Sequence, residues 1–199
     1  MDKGKKLLLH SCCGPCSSAC IERLLPDFDI TVFYYNPCID DRDEYEKRKA
    51  NQIKLIESIN DKGIIRSGEA VQTYDGKMPH VDFVEGDYDP ERYLELVKGL
   101  ENEPEGGARC PVCFRMRLTA AAKYAKANGY DAFTTTLTVS PHKNFPLISG
   151  IGAEVGEEVG IDYLPYDFKK KDGFLRSIQL SKEFGLYRQD YCGCNFSKR

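Results

Sequence analysis

The chain has 199 residues, a length that suits one domain, and its 41% hydrophobic and 30% charged residues form an ordinary globular composition. The formal net charge of −3 at pH 7 gives no overall basic signature for nucleic acid, and no apolar run approaches the roughly 20 residues of a membrane span. Residues 1–6 lead into only three leucines, too short an apolar core for a secretory signal, so we expect a cytoplasmic protein.

The first half of the chain alternates apolar strand patterns with helix patterns. A continuous apolar run predicts a buried first strand, and a run rich in β-branched and aromatic residues predicts the second. Asp89 followed by Pro90 has the pattern of a helix N-cap with proline in the first helical position. The predicted elements are a strand at residues 7–10, a helix at 17–25, a strand at 29–36, a helix at 43–60 with Ile53, Leu55, Ile56 and Ile59 inside, irregular chain at 63–77, a strand at 81–84 and a helix at 89–100.

The second half continues the alternation after an acidic loop at residues 101–107. Cys110 and Pro111 repeat the cap-then-proline arrangement, which predicts a helix opening at Cys110, and Gly129 is placed to end it. The predicted elements are a helix from Cys110 to about residue 128, a strand at 132–136, a helix at 144–160, a strand at 161–166 and a helix at 173–184.

Strands that alternate with helices predict a single α/β domain, residues 1–199, with a mostly parallel sheet and flanking helices. We expect the three-layer arrangement of HUP and PP-loop proteins, with a helical C-terminal portion. ATP pyrophosphatases of this layout carry a Ser-Gly-Gly-type loop after the first strand. Here that position holds His10 to Pro15, and no P-loop pattern occurs elsewhere, so the ATP chemistry is not expected.

Cysteine placement is the most informative feature of the sequence. Seven of the nine cysteines fall into three tight groups: Cys12, Cys13 and Cys16; Cys110 and Cys113; and Cys192 and Cys194. In a reducing compartment such clustering indicates metal binding or redox chemistry rather than structural disulfides. The alternative, a buried cysteine acting as a small apolar residue, is favoured only for Cys20.

The first two groups are expected to meet at one edge of the sheet. Ligands of open parallel sheets bind beyond the carboxyl ends of the strands, and helix N-termini favour anionic thiolates. Four thiolates suit a 4Fe–4S cluster, and four cysteines in paired groups also suit structural zinc. Adjacent Cys12 and Cys13 are not an ordinary zinc spacing, so iron–sulfur is favoured and zinc remains the alternative.

The third group, Cys192-Gly193-Cys194, is too tight to bridge distant parts of a fold. A disulfide there would close a small strained loop, and such disulfides tend to be labile or catalytic. Two thiols supply two electrons, so we interpret the protein as a reductase; a third metal-ligand pair is the alternative. Residues 169–199 carry a net charge of +5 against −8 for residues 1–168, which suggests a basic face for phosphates or a solvated surface helix.

Five segments together resemble the QueH family of cobalamin-independent epoxyqueuosine reductases. They are residues 9–17 (Leu-His-Ser-Cys-Cys-Gly-Pro-Cys-Ser), 35–37, 99–113, 134–143 and 191–194. The resemblance implies removal of the epoxide oxygen from epoxyqueuosine at the wobble position of a tRNA with a GUN anticodon, the last step of queuosine synthesis. It also implies a 4Fe–4S cluster with an additional iron nearby, an external electron donor, and neither membrane nor cobalamin.

Carried over by position, the resemblance assigns Cys12, Cys13, Cys110 and Cys113 as cluster ligands and Cys192 with Cys194 as the redox-active pair. Cys16 is a candidate ligand of the additional iron. Three positions depart from the family pattern: Gly14 stands for alanine, Cys38 for asparagine and His142 for tyrosine. The first is expected to be harmless, whereas Cys38 adds a thiol near the same edge.

A proton donor and a stacking surface complete the hypothesis. His10 or His142 could protonate the departing oxygen, although a hydrogen-bonding or core role is favoured for each. Tyr34, Tyr35 or Tyr191 could stack on the extruded base, with core packing favoured for Tyr34. The alternatives are a zinc-stabilised tRNA-binding or tRNA-thiolating protein and a thiol–disulfide exchange protein that binds no nucleic acid.

Overall fold

Five parallel strands form the central sheet of the computed structural model, which describes residues 4–198. Their order across the sheet is β5-β2-β1-β6-β7, so β1 lies in the middle. The strands are β1 (Lys5–Ser11), β2 (Phe28–Tyr34), β5 (Val81–Glu85), β6 (Ala132–Thr135) and β7 (Asp162–Tyr163), and a separate hairpin pairs β3 (Ile65–Arg66) with β4 (Glu69–Ala70). Residues 1–3 and Arg199 lie outside the described residues. They belong to two stretches considered above, the N-terminal segment judged too short on apolar residues for a secretory signal and the basic C-terminal stretch.

Helices cover both faces of this sheet. Leu7 and Leu9 pack into one hydrophobic cluster with the helices Gly14–Leu24 and Arg42–Lys62, whereas Leu8 packs into a second cluster with the helices Arg109–Ala127 and Phe145–Val159. This split follows from the strand geometry, in which successive side chains point to opposite faces. The helices are α1 (Gly14–Leu24), α2 (Arg42–Lys62), α3 (Pro90–Leu96), α4 (Arg109–Ala127), α5 (Phe145–Val159) and α6 (Gly173–Glu183). The predicted α/β domain with a mostly parallel sheet is confirmed.

Most predicted elements are present, and the differences from the prediction lie mainly at the ends of the helices. Asp89 caps α3 with its side chain as predicted, and the Asn144 side chain caps α5 in the same way. The prediction that Cys110 caps its helix is wrong, because α4 already begins at Arg109 with Ala108 as its N-cap. Glu103 Oε2 accepts the Ala108 N–H at 3.0 Å, so a side chain from the preceding loop replaces the expected cap.

Two further boundaries differ from the prediction. Helix α3 ends at Leu96 instead of about residue 100, and Gly99 then turns the chain at φ +86. Residues 63–77 were expected to be irregular but contain the β3–β4 hairpin. None of the helices in the described part of the chain has both the length and the apolar character needed to cross a membrane.

Candidate metal and redox site

Three thiols meet in the turn that joins β1 to α1. The sulfur atoms of Cys12, Cys13 and Cys16 all lie within 4.8 Å of one another, and the Cys12 and Cys13 sulfurs are 3.8 Å apart. Cys13 is the N-cap residue of α1, and Cys16 follows one helical turn later. We call these three residues the thiol triad. Thiols at this spacing beside a helix N-terminus can hold a metal ion or part of a metal cluster.

Close packing of α1 against α2 requires the glycine between the triad cysteines. A Cβ atom at Gly14 would lie 2.6 Å from the carbonyl oxygen of Asn51 in α2. Glycine in place of the family's alanine is therefore compatible with this fold, whereas alanine would force α2 to move.

A buried hydrogen-bond network contacts the triad and its neighbouring residues. The hydroxyls of Ser11 and Ser17 both donate to Gln52 Oε1, at 2.8 and 2.9 Å. From the opposite side, Gln189 Nε2 donates to the Cys13 sulfur at 2.8 Å. These contacts orient the triad because each partner comes from a different part of the fold.

The thiols of the triad differ in their pKa values. Hydrogen bonds from the Cys13 and Cys16 thiols hold the pKa of Cys12 well below its usual range, and the positive charges of Arg117 and Lys143 add to the effect. Burial, followed by the hydrogen bond to Cys12, raises the pKa of Cys13 to about 12. Without metal, Cys12 is thus the thiol of the triad that ionises most readily.

Arg117 of α4 is a buried cation beside the triad. It is 1% exposed, and its guanidinium donates to Asn36 Oδ1 at 2.5 Å and to His10 Nε2 at 3.2 Å. Among residues 4–198 no carboxylate pairs with it. Burial alone lowers the pKa of Arg117, but attraction to nearby cysteines, led by Cys38, holds that pKa above the usual range. A buried cation of this kind is stable only beside negative charge, so the site suits anionic thiolates or an anionic cluster.

His10 is a neutral component of this network. Arg117 Nε lies 3.2 Å from His10 Nε2, which is also 3.2 Å from the Tyr35 carbonyl oxygen, and His10 Nδ1 lies 2.8 Å from Thr135 Oγ1. Burial and then the charge of Arg117 lower the pKa of His10 to about 3. The favoured interpretation, a hydrogen-bonding core histidine, describes His10 better than a proton donor does.

The second cysteine group, Cys110 and Cys113, lies in the first turns of α4, the helix that also carries Arg117. Cys113 is buried and its thiol contacts Cys38, the extra cysteine of this chain. This contact lowers the pKa of Cys113 and raises that of Cys38. Cys110 is half-buried, and its sulfur accepts the Gly106 N–H at 3.2 Å.

Cys192 and Cys194 are free thiols with different surroundings. Lys143 Nζ donates to the Cys192 sulfur at 3.3 Å, at the cavity wall. Cys194 is buried, and its sulfur lies 3.1 Å from the Tyr93 hydroxyl. Arg48 holds the segment in place by donating to the Cys192 carbonyl at 3.1 Å. All nine cysteines fall within the described residues, and each is a free thiol.

A cavity of about 280 Å³ opens over these groups. Cys12, Cys16 and Arg117 line it together with Cys192, so two thiols of the triad and one thiol of the third cysteine group face the same space. At its mouth lie residues from the C-terminal part of the chain and from the loop before α5, among them His142, Phe174, Arg188 and Tyr191.

Sequence reasoning placed some of these residues and missed others. Cys12 and Cys13 follow the first strand as predicted, and Cys16 joins them. The full set of Cys12, Cys13, Cys110 and Cys113 does not form one compact group here, so that ligand set stays a prediction. Arg117, Lys143 and Gln189 were given no role. Arg117 carried a signal because it lies one helical turn after Cys113, and Lys143 carried one because it ends the segment 134–143 that resembles the family.

The tyrosine candidates are likewise resolved by burial. Tyr34 is fully buried and donates to the Tyr45 carbonyl, so it is a core residue as favoured. Tyr35 is 5% exposed and packs against Phe33. Tyr191 alone of the three lines the cavity.

A parallel α/β sheet that carries clustered thiols at the carboxyl end of its central strand defines a cysteine-based metal or redox protein. Residues 7–199 match the family described as epoxyqueuosine reductase QueH. A protein of that name from Streptococcus pyogenes serotype M1 is 41% identical over 193 residues, covering 97% of this chain and 70% of that protein. Its namesakes from Acinetobacter baylyi and Thermotoga maritima are 38% and 34% identical, covering 100% and 96% of this chain and 83% and 89% of those proteins. The chain belongs to the QueH family of epoxyqueuosine reductases and is an oxidoreductase.

Proposed function

We propose that the chain reduces epoxyqueuosine to queuosine at the wobble position of tRNA with a GUN anticodon. The observation that carries the proposal is the thiol triad beside a buried arginine without a carboxylate partner in residues 4–198. That arrangement fits an anionic metal cofactor in an enzyme of a family named for epoxyqueuosine reduction.

The residues fit an iron–sulfur cluster in charge and chemistry. We propose Cys12, Cys13, Cys110 and Cys113 as its ligands, with Cys16 available to an additional iron. Arg117 exerts its charge on both Cys12 and Cys113, which supports a position between the two groups. When bound, such a cluster passes electrons singly, and an exposed iron polarises an oxygen as a Lewis acid.

The Cys192 and Cys194 thiols balance the reaction. Loss of the epoxide oxygen as water consumes two electrons and two protons and leaves a carbon–carbon double bond. Oxidation of the two thiols to a disulfide supplies both electrons and both protons, and an external donor then reduces the disulfide. Lys143 Nζ, which donates to the Cys192 sulfur at 3.3 Å, holds that sulfur at the cavity wall.

His142 is placed to assist with proton transfer. It is exposed at the cavity mouth, in contrast to His10, which is buried and held by Arg117. A histidine in contact with solvent can collect a proton and deliver it to a departing oxygen.

Mass spectrometry of tRNA nucleosides tests the proposal. Anaerobically purified protein is incubated with dithionite and tRNA carrying epoxyqueuosine. We expect conversion to queuosine, with loss of one oxygen atom, by a brown protein that holds about four iron and four sulfide per chain. Unchanged epoxyqueuosine with a fully loaded protein would reject the proposal.

Three cysteine variants separate the roles. Cys110→Ser is expected to abolish cluster and activity together. Cys192→Ser is expected to retain the cluster yet be unable to sustain multiple turnover. Cys20→Ala is the control, because Cys20 is buried in α1 with its thiol on the Cys16 carbonyl and lines no part of the cavity. Loss of the cluster in Cys192→Ser would make that cysteine a ligand instead.

One observation favours zinc as a second candidate. Tetrahedral zinc with bonds of about 2.3 Å places its sulfur ligands about 3.8 Å apart, which is also the separation of the Cys12 and Cys13 sulfurs. A zinc-stabilised tRNA-binding or tRNA-thiolating protein would be colourless. Metal analysis of the anaerobic protein distinguishes the two cofactors directly.

A further inference from the structure

Phe174, the second residue of α6, is a large apolar side chain at the mouth of the thiol cavity. It is 37% exposed and lines the same cavity as Cys12 and Cys16. The next residue, Leu175, is 55% exposed but lies outside that cavity, in a separate groove with Arg66 and Arg176. Phe174 therefore presents a partly exposed aromatic ring to the cavity that Cys12 and Cys16 line, whereas its neighbour Leu175 does not.

Arg188 adds a second planar group to the same place. Its guanidinium carbon lies 5.7 Å from the centre of the Phe174 ring, and it also lines the cavity. The guanidinium is held by α6, because Nη1 donates to Ser181 Oγ at 3.1 Å and to the Ser177 carbonyl at 3.3 Å. The pair is thus a fixed surface with aromatic and cationic faces, and we call Phe174 and Arg188 the rim platform.

Exposed lysines at both ends of α6 can bind a nucleic acid backbone, while the cavity itself is also lined by Glu105 and Asp190. Lys170 and Lys171 are exposed just before α6, and Lys182 is exposed near its end. Aromatic rings and arginine planes are the usual stacking partners of unstacked bases, and lysines bind the phosphates that flank them.

We propose that the rim platform stacks the wobble purine of tRNA after it leaves the anticodon stack, with Phe174 as the principal contact. This inference rests on the proposed function for its substrate and adds the residues that receive the base. A base held at the cavity mouth places its modified side group toward Cys12 and Cys192, which line the interior. Unstacking a loop nucleotide costs a few kcal/mol, which stacking on the rim platform offsets.

The test combines a substitution at Phe174 with a change of the wobble nucleotide in the RNA. Full-length protein is titrated with a labelled anticodon stem–loop that carries either guanosine or an abasic residue at the wobble position. Stacking contributions of the usual size predict that Phe174→Ala weakens binding of the guanosine RNA by about 5- to 150-fold. Binding of the abasic RNA is expected to be weaker in the wild type and unchanged by the substitution.

Matched variants define the ring as the cause. Phe174→Tyr keeps the ring and is expected to bind as the wild type does, whereas Phe174→Leu is expected to behave like Phe174→Ala. Leu175→Ala is the control for loss of exposed apolar surface on α6 and is expected to change neither RNA. Thermal unfolding of each variant verifies that the fold is intact.

Three results would overturn the inference in distinguishable ways. Equal weakening of both RNAs by Phe174→Ala would mean that the ring does not contact the base. Equal binding of guanosine and abasic RNA by the wild type would mean that the wobble base is not held at all. If the wild type binds neither RNA, the proposed function loses its tRNA substrate as well.

Discussion

Replacing Gly193 by alanine tests how the segment between the two C-terminal thiols is held. Gly193 has φ +104, where a non-glycine residue costs about 1–2 kcal/mol. Its added Cβ would also lie 2.8 Å from both Arg48 Nη1 and Ile39 Cγ1, well inside the 3.4–4 Å of ordinary contact. Overpacking of this kind costs about 1–3 kcal/mol, so we expect Gly193→Ala to lower the free energy of unfolding by about 2–5 kcal/mol.

Displacement of the Arg48 guanidinium is also expected to affect function. Arg48 is 1% exposed and donates to the Cys192 carbonyl and, at 3.3 Å, to the Tyr191 carbonyl. Moving its guanidinium loosens the segment that carries Cys192 and Cys194. We therefore expect faster alkylation of the buried Cys194 thiol in Gly193→Ala, together with slower multiple turnover.

Gly68→Ala is the matched control. Gly68 has φ +88, a similar backbone conformation, but a Cβ atom added there would have no atom of the described chain within 4 Å. Only the backbone cost of about 1–2 kcal/mol is expected there. Urea unfolding of both variants isolates the steric contribution, and equal midpoints would refute the assignment of Arg48 and Ile39 as the groups that exclude a side chain.

Two further predictions concern buried charge. His10 binds a proton at about pH 6.5 in the unfolded chain but only near pH 3 in the fold, so stability present above the first pH is lost as pH falls toward the second. We expect a loss of a few kcal/mol between about pH 7 and about pH 4 in urea unfolding, and His10→Gln should reduce that slope. Glu22→Gln breaks a 2.6 Å pair with Arg176 in which the carboxylate is 3% exposed, and should cost about 3 kcal/mol. Glu46→Gln breaks an equally short pair whose carboxylate is 39% exposed, and should cost less than about 1 kcal/mol; equal costs would contradict the argument.

Local sequence determined the order of the elements and much of their extent. The apolar run of β1, the proline and glycine punctuation, and the caps at Asp89 and Asn144 are short-range signals that each act within a few residues. Element ends were missed where a partner from outside the element decides them. Glu103 beside the start of α4 is one such partner.

The cysteine groups show the same division. The spacing of the cysteines alone predicted a metal or redox site and placed Cys12 and Cys13 after the first strand. The spacing could not predict that Cys38 lies against Cys113, because the two cysteines are 75 residues apart in the sequence.

Only the tertiary structure decided the electrostatics of the site. Arg117 is one arginine among many in the sequence, and its special character comes from burial beside thiols without a carboxylate partner in the described chain. Phe174 and Leu175 are likewise adjacent and similar in sequence, yet one faces the cavity and the other does not. Burial and orientation depend on contacts between distant segments, and a pattern of neighbouring residues does not encode those contacts one by one.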